Sequence, residues 1–380
     1  MWRRLLDVLA CPTCAGNLSL ETLEDTNTPP IRSQSPASVS DPKTWIDWGL
    51  LLCERCRTMY PIADGLPVML RYATPAAGVV AERFGSRLQK LGGLSFPEGK
   101  PVPGEEFVLR SFSREWTEYE YDGVMWDLSY EDHEKRFLAE CGNDAIDRAR
   151  GGLFVEIGCG LGMSTVFGQK HTGGHAIGFD LGHAAGRAAG EFKTNDRLHF
   201  VQASAFSLPL RPGSADLVYS HGVLHHTYPT EEAVRAVAPI VKPGGSFYLW
   251  LYGPESQKGS PLRRLAWTAE AAIRPWIGRN LDHPLSNGFL RTAALGYLVV
   301  NRFHRARDGT VRGYTLQRAL HAARDRFTPL FAHRHDYAEV SRWFGQAGFD
   351  DIEQVDWRTM PTANQDNYRR NTGIRGRGPL

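Results

Sequence analysis

The segment Gly152-Leu153-Phe154-Val155-Glu156-Ile157-Gly158-Cys159-Gly160-Leu161-Gly162 constrains this chain more than any other. A short apolar run ends at an acid and breaks at once into glycines at alternate positions. Glycine accepts positive φ and lets the backbone approach a ligand closely. A strand that passes through such a turn into a helix, here predicted from near Met163, opens a parallel α/β sheet with a binding site at the turn. Dinucleotide sites share the device but favour GxGxxG, whereas this turn is GxGxG with Glu156 before the first glycine.

The following motifs keep to the same plan. His175-Ala176-Ile177-Gly178-Phe179-Asp180 predicts a second strand ending 18 residues past Gly162, where a carboxylate can accept both hydroxyls of a ribose. Leu198 to Phe206 is a third strand and loop, followed by Leu208-Pro209-Leu210. Asp216 to Thr227 supplies a fourth strand and its loop, and Val241-Lys242-Pro243-Gly244-Gly245 turns into a fifth. Alternating strands and helices of this kind build a parallel sheet, with ligands at the carboxyl ends of its strands.

Taken in order, VEIGCGLG, the acid of GFD, DLVYSHGVLHHT and VKPGG resemble the class I S-adenosylmethionine-dependent methyltransferases, nearest in flavour to the ubiquinone-biosynthesis-like small-molecule group. The resemblance is strong over about residues 150–252 and extends through Tyr337 to Phe349. It implies an α/β, Rossmann-like sheet of seven mostly parallel strands. It also implies that Glu156, Gly158, Gly160 and Gly162 shape the pocket for S-adenosyl-L-methionine and that Asp180 holds the ribose. The family usually places an aspartate where this chain has Ser204, to bond the adenine amine. Serine accepts more weakly than a carboxylate, so backbone at Ala205 and stacking on Phe206 are expected to share the adenine. Ser220 and His221 are assigned to the cofactor as well, His221 beside its methionine part.

Methyl transfer from a sulfonium is an in-line displacement that needs alignment and exclusion of water, with a base only where the acceptor sheds a proton. The loop Ser220 to Thr227 offers His221, His225 and His226. Its spacing after the strand puts His225 forward as the residue facing the acceptor, with His335 as a second candidate beside His333 and Arg334. The loop lacks the Asn/Asp-Pro-Pro-aromatic motif of base N-methylating relatives.

Cys11-Pro12-Thr13-Cys14 and Cys53-Glu54-Arg55-Cys56 are two CxxC pairs separated by 38 residues. Two such knuckles complete a tetrahedral S4 site, the closed geometry of structural zinc. With Tyr60-Pro61-Ile62-Ala63-Asp64-Gly65-Leu66-Pro67-Val68-Met69-Leu70, they resemble the small zinc-ribbon proteins that activate RNA and protein methyltransferases. The chain is thus expected to divide into a ribbon over 1–70, with a disordered polar loop at about 26–42, a helical connector over 71–150 and a methyltransferase domain over 151–380. Within the connector, Trp116, Tyr119, Tyr121, Trp126 and Tyr130 form an aromatic stripe that can cover the cofactor from the N-terminal side.

The net charge of +2 conceals an asymmetry. Residues 256–335 hold fourteen Lys/Arg against four acids, +10, which leaves −8 for the remainder. Helices are expected there over Leu262 to Ile273, Phe289 to Phe303 and Thr315 to Phe327, as a basic lid inserted after the fifth strand. No apolar stretch reaches the ~20 residues of a membrane span, and the chain reads as cytoplasmic. The expected activity is methyl transfer to a small, anionic or conjugated metabolite. The alternatives are an rRNA or tRNA methyltransferase that holds RNA through ribbon and basic insertion, and a non-catalytic adaptor.

Overall fold

The computed structural model describes residues 1–26, 44–118, 124–125, 128–254, 261–307 and 313–379. The loop expected to be disordered lies outside these residues except for Thr26, as do Tyr119, Tyr121 and Trp126.

The N-terminal strands β1 (Ser19–Thr26), β2 (Trp45–Cys53), β3 (Thr58–Ala63) and β4 (Leu66–Pro67) form a four-stranded antiparallel sheet in sequential order. Then come α1 (Pro75–Leu88), α2 (Glu105–Glu118), the short antiparallel pair β5 (Val124–Met125) and β6 (Leu128–Ser129), α3 (Tyr130–Cys141) and α4 (Asn143–Arg148). Ser129 and Asp132 bond reciprocally to each other's backbone N–H and fix the start of α3.

The main sheet follows as β7 (Leu153–Ile157), α5 (Met163–Thr172), β8 (His175–Asp180), α6 (Ala184–Glu191), β9 (Leu198–Gln202), β10 (Ala215–His221), α7 (Thr230–Val237) and β11 (Val241–Leu251). Three further helices, α8 (Pro261–Arg279), α9 (Pro284–Arg307) and α10 (Leu316–Phe327), precede α11 (Tyr337–Gln346), β12 (Asp350–Gln354), α12 (Gln365–Arg370) and β13 (Thr372–Arg377). The strand order is β12-β13-β11-β10-β7-β8-β9, with β9, β8, β7, β10 and β11 parallel and β13 antiparallel to both neighbours. The seven-stranded, mostly parallel sheet expected from the sequence is what forms. Chain order reverses between β8 and β10 on either side of β7, which opens a crevice at the carboxyl ends of these strands.

Sequence patterning placed the inserted helices correctly but shortened two of them. Pro284 starts α9 five residues before Phe289, its fixed φ suiting a first helical turn. α8 continues through Pro275 to Arg279. Leu290 and Ala294 of α9 pack on Ala319 and Ala323 of α10 in a small core of their own.

The ribbon shares its core with the sheet. Leu5, Leu9, Ile46, Tyr60, Ile62 and Met69 belong to one buried cluster with Val155, Ile177 and Val201. Strand β9 is the sheet's edge, and Val68 bridges to its Gln202 in parallel sense while the Met69 N–H donates to the Gln202 carbonyl at 2.8 Å. The Ala10 N–H donates to the Pro209 carbonyl at 2.9 Å. An edge strand that would otherwise present unpaired backbone is thereby covered in cis.

Candidate active site and metal centre

Cys11 and Cys14 lie in one turn, while Cys53 ends β2 and Cys56 stands in the next. Their sulfurs all fall within 4.8 Å of one another, with Cys11 and Cys56 at 3.5 Å and Cys14 and Cys53 at 3.4 Å. Four thiolates at 2.3 Å from a central ion stand about 3.8 Å apart, so the quartet fits structural zinc. It leaves no open position for substrate.

A cavity of about 520 Å³ occupies the crevice, within the ordinary range for ligand sites. Its floor is the glycine turn. Gly158 and Gly162 have φ of 77° and 83°, and a Cβ on them would meet Val223 at 2.2 Å and the Phe200 ring at 2.6 Å. No other residue fits there without displacing these side chains. Asp180 ends β8 with both carboxylate oxygens engaged, accepting the Gly160 N–H at 2.8 Å and the Gly182 N–H at 2.6 Å. Burial raises its carboxyl, and those two donors draw it back. The fixed carboxylate keeps further lone pairs for a vicinal diol. Glu156, at the end of β7, accepts from Thr165 Oγ1 at 2.5 Å, and burial pushes its carboxyl up to about 8.

Glu156, Gly158, Gly160, Asp180, Ala205, Phe206 and His221 line the cavity; Gly162, Ser204 and Ser220 do not. The Ser220 hydroxyl donates to the Ile157 carbonyl at 3.2 Å. The Ser204 hydroxyl is occupied: it accepts the Phe206 N–H at 3.2 Å and bonds to the Glu105 carboxylate. Glu105 itself faces the cavity from the first turn of α2, where its Oε2 accepts the Val102 N–H at 3.0 Å. A carboxylate from the connector thus stands beside the slot where the sheet carries only serine. Burial raises the Glu105 carboxyl, opposed by the Ser204 and Val102 donors.

At the other end of the cavity the structure separates the candidate histidines by position. His225 is fully buried, packs on Tyr252 at 3.9 Å between ring centroids and is absent from the lining. His335 bonds to Glu339 at 3.1 Å and is also absent, as are His333 and Arg334. The loop after β10 forms a 3-10 turn over Leu224–His226, which carries His225 inward and brings His226 to the cavity. His226 holds the Phe331 carbonyl at 2.7 Å, and burial lowers its pKa to about 3.

His221 is better equipped. It stacks on Trp250 at 4.6 Å and sets Nδ1 2.7 Å from Glu140 Oε1. Glu140, fully buried on α3, also accepts from Tyr219 at 2.6 Å, from Tyr248 at 2.8 Å and from Tyr368. Burial opposes its charge, but His221 and Arg136 outweigh that and hold the carboxyl below its ordinary range. Burial keeps the His221 ring neutral. Its proton therefore sits on Nδ1 toward Glu140, and Nε2 is left with the lone pair. Arg136 is the one guanidinium among the described lining residues, 7% exposed, with its Nε paired to Glu140 Oε2 at 3.6 Å.

The basic segment turns most of its charge elsewhere. Among the described residues of 256–335, only Asp325 and Phe331 line the cavity. Arg274 and Arg326 pair with the buried Glu270, and Arg334 lies over Trp267 and Tyr252 at 4.5 and 5.2 Å. Asp325 is pushed up to about 6, by burial first, with Arg274 and Tyr252 opposing. Trp116, from the aromatic stripe, covers the glycine turn 3.7 Å from where a Gly160 Cβ would stand. The lining also holds aromatic and amide side chains, Phe112, Tyr228, Trp250, Tyr252, Asn364 and Asn367 among them, beside aliphatic ones such as Val108, Leu161 and Leu181.

Fold and site together define a class I methyltransferase sheet with a covalently joined zinc ribbon. Residues 155–249 match the family described as a methyltransferase domain, and residues 3–65 match the Trm112p-like proteins. The chain therefore carries a methyltransferase domain and a Trm112p-like domain, as both resemblances implied. Curated relatives include sterol 24-C-methyltransferase ERG6B of Gibberella zeae, 32% identical over 26% of this chain and 27% of its own. Others are the ubiquinone biosynthesis O-methyltransferase of Cupriavidus pinatubonensis, at 31% over 28% and 43%, and the probable tRNA methyltransferase 9B of Mus musculus, at 29% over 38% and 33%. The chain spans between a quarter and a half of these relatives' lengths. Among solved structures, a Haemonchus contortus phosphoethanolamine N-methyltransferase 2 aligns with a TM-score of 0.44 and 14% identity over 75% of this chain and 62% of that one. A chain from the complex of the Haloferax volcanii Trm112 methyltransferase activator aligns with a TM-score of 0.39 and 16% identity over 66% and 94%.

Proposed function

We propose that this protein binds S-adenosyl-L-methionine in the crevice and transfers its methyl group to a small molecule bearing an ionisable O–H or N–H. The observation that carries the reading is Asp180, held by two backbone N–H groups at the rim of a glycine-floored cavity. When bound, the cofactor supplies an electrophilic methyl on a sulfonium. Asp180 takes the ribose hydroxyls. Glu105, in place of Ser204, accepts from the adenine amine, and Phe206 lies against the base. Arg136 meets a carboxylate.

The acceptor enters between Phe112, Trp116, Tyr228 and Tyr252, which suit an aromatic or apolar body and exclude water. His221 removes its proton at Nε2, while Glu140 steadies the imidazolium that forms. The lining position of His221 and its bond to Glu140 favour it over His225 as the base. The acceptor need not be anionic, since the described residues of the basic segment contribute no cation to the cavity. The Cys quartet binds zinc structurally, and the ribbon braces β9 just ahead of Ala203 to Phe206.

The test is incubation with methyl-tritiated cofactor and fractionated host-cell extract. Label entering solvent-extractable small molecules supports the reading. Label entering RNA alone favours the RNA alternative and overturns it.

A further inference from the structure

The outer face of the helical insertion is not built like a solvated surface. Of the twelve exposed large apolar side chains among the described residues, nine lie between Leu265 and Leu316. α9 carries five of them: Leu285 is 68% exposed, Leu295 57%, Val299 55%, Val300 53% and Phe303 69%. At ~100° per residue these five, with exposed Gly288, Thr292 and Gly296, fall within about 140° of arc. Leu290 and Ala294 point the opposite way, into the contact with α10. The helix thus has two apolar faces, of which one is used.

Charge borders the unused face. The 24 residues of α9 include Arg291, Arg302, Arg305 and Arg307 and no acid. Arg291, Arg302 and Arg305 are exposed and project on one flank of the apolar stripe. Of the acids in the neighbouring described elements, Glu270 is buried with Arg274 and Arg326, Asp325 lines the cavity, and Asp282, in the turn before α9, pairs with Arg114 at 2.9 Å. The stripe continues onto α8 at the turn between the helices, where Trp276, 44% exposed, sets its ring edge on His283, two residues before Leu285. α8 adds Leu265 and Ile273 on its own exposed side.

An exposed apolar stripe edged by arginines and free of acids suits the interface of an anionic bilayer: the side chains enter the acyl boundary and the guanidinium groups meet headgroup phosphates. A helix of 24 residues extends about 36 Å, yet none among the described residues is long and apolar enough to cross a membrane. It can lie on a bilayer and not span it. A face against a second copy of this chain would set these arginines against one another or against the cationic flank of its mate, with no acid on α9 to compensate.

We propose that the outer face of α8 and α9 docks the protein on anionic phospholipid membranes. The inference is independent of the proposed reaction. The test is co-sedimentation of the full-length, zinc-loaded protein with phosphatidylcholine vesicles, alone or with 30% phosphatidylglycerol. Binding to the anionic vesicles should exceed that to neutral ones at least tenfold in 50 mM salt and fall steeply by 500 mM. The double variant Leu295→Asp/Phe303→Asp should lose the binding at least tenfold, and Arg291→Ala/Arg302→Ala/Arg305→Ala should lose the preference for anionic lipid. All these positions are exposed, so melting temperature should stay within a few degrees. Equal sedimentation with and without anionic lipid overturns the proposal. So does a concentration-dependent dimer abolished by the double variant, or RNA retention through the three arginines without vesicle binding.

Discussion

The replacement of Ser204 by Glu105 as the adenine acceptor can be tested by removing either side chain. Glu105→Ala deletes a carboxylate that bonds to Ser204 and to the Val102 N–H while facing the cavity. A hydrogen bond to a charged group contributes about 1.5–3 kcal/mol. At ~1.4 kcal/mol per decade the dissociation constant for S-adenosylhomocysteine should rise about ten- to a hundredfold. Ser204→Ala removes a hydroxyl that is turned to Glu105 and the Phe206 N–H and does not line the cavity, so its effect should stay below about threefold, less than 1 kcal/mol. Isothermal titration calorimetry reads both, with thermal melts to show that each variant is folded. A loss in Ser204→Ala equal to or larger than that in Glu105→Ala would refute the assignment and return the adenine to the serine.

Other expectations follow from the same geometry. His221→Asn should lower kcat by about 10²–10⁴ on any hydroxyl or amine acceptor while leaving KM for the cofactor within a few fold; His225→Asn should not, and the reverse ranking in a steady-state assay sinks the choice of base. Chelation of the Cys quartet, or Cys53→Ala, should unfold the ribbon and expose the edge of β9, lowering the first calorimetric transition by several degrees and weakening cofactor binding together. An unchanged transition would show the ribbon to be independent of the sheet. Glu156 titrates near 8 in the folded chain against an ordinary value of 4.5. The folded state therefore holds an extra proton between those values, and stability should fall as pH rises from about 5 to 8, by at most ~1.4 kcal/mol per pH unit. Glu156→Gln should flatten that decline in urea titrations; a slope as steep as in the parent would contradict it.

The features legible in the sequence are those whose chemistry is local. The glycine turn, Asp180 and the two CxxC knuckles each occupy a few consecutive residues whose backbone requirements few other structures share. The seven-stranded sheet followed because strand and helix alternate with regular spacing. Glu105 was not legible, because nothing in residues 100–118 marks it as the neighbour of a slot a hundred residues later. Glu140 left a trace. His133, Arg136, Phe137, Glu140 and Cys141 are all buried on one face of α3, and three ionisable residues at core spacing on a helix signal a buried polar network. Counting from the strand points to His225, whereas a single 3-10 turn after Val223 carries it out of the cavity and brings His226 to it. A charge sum such as the +10 of the insertion carries no direction: among the described residues Arg274 and Arg326 turn inward to Glu270, while Arg291, Arg302 and Arg305 face outward.

The crevice above Gly158 to Asp180 should hold S-adenosyl-L-methionine. Calorimetric titration of the zinc-loaded, full-length protein with S-adenosylhomocysteine tests it most directly, in parallel with Asp180→Ala and Gly160→Arg. One site per chain is expected, abolished by either substitution while the melting profile is retained. No binding to the folded parent, or the same affinity in both variants, would contradict it.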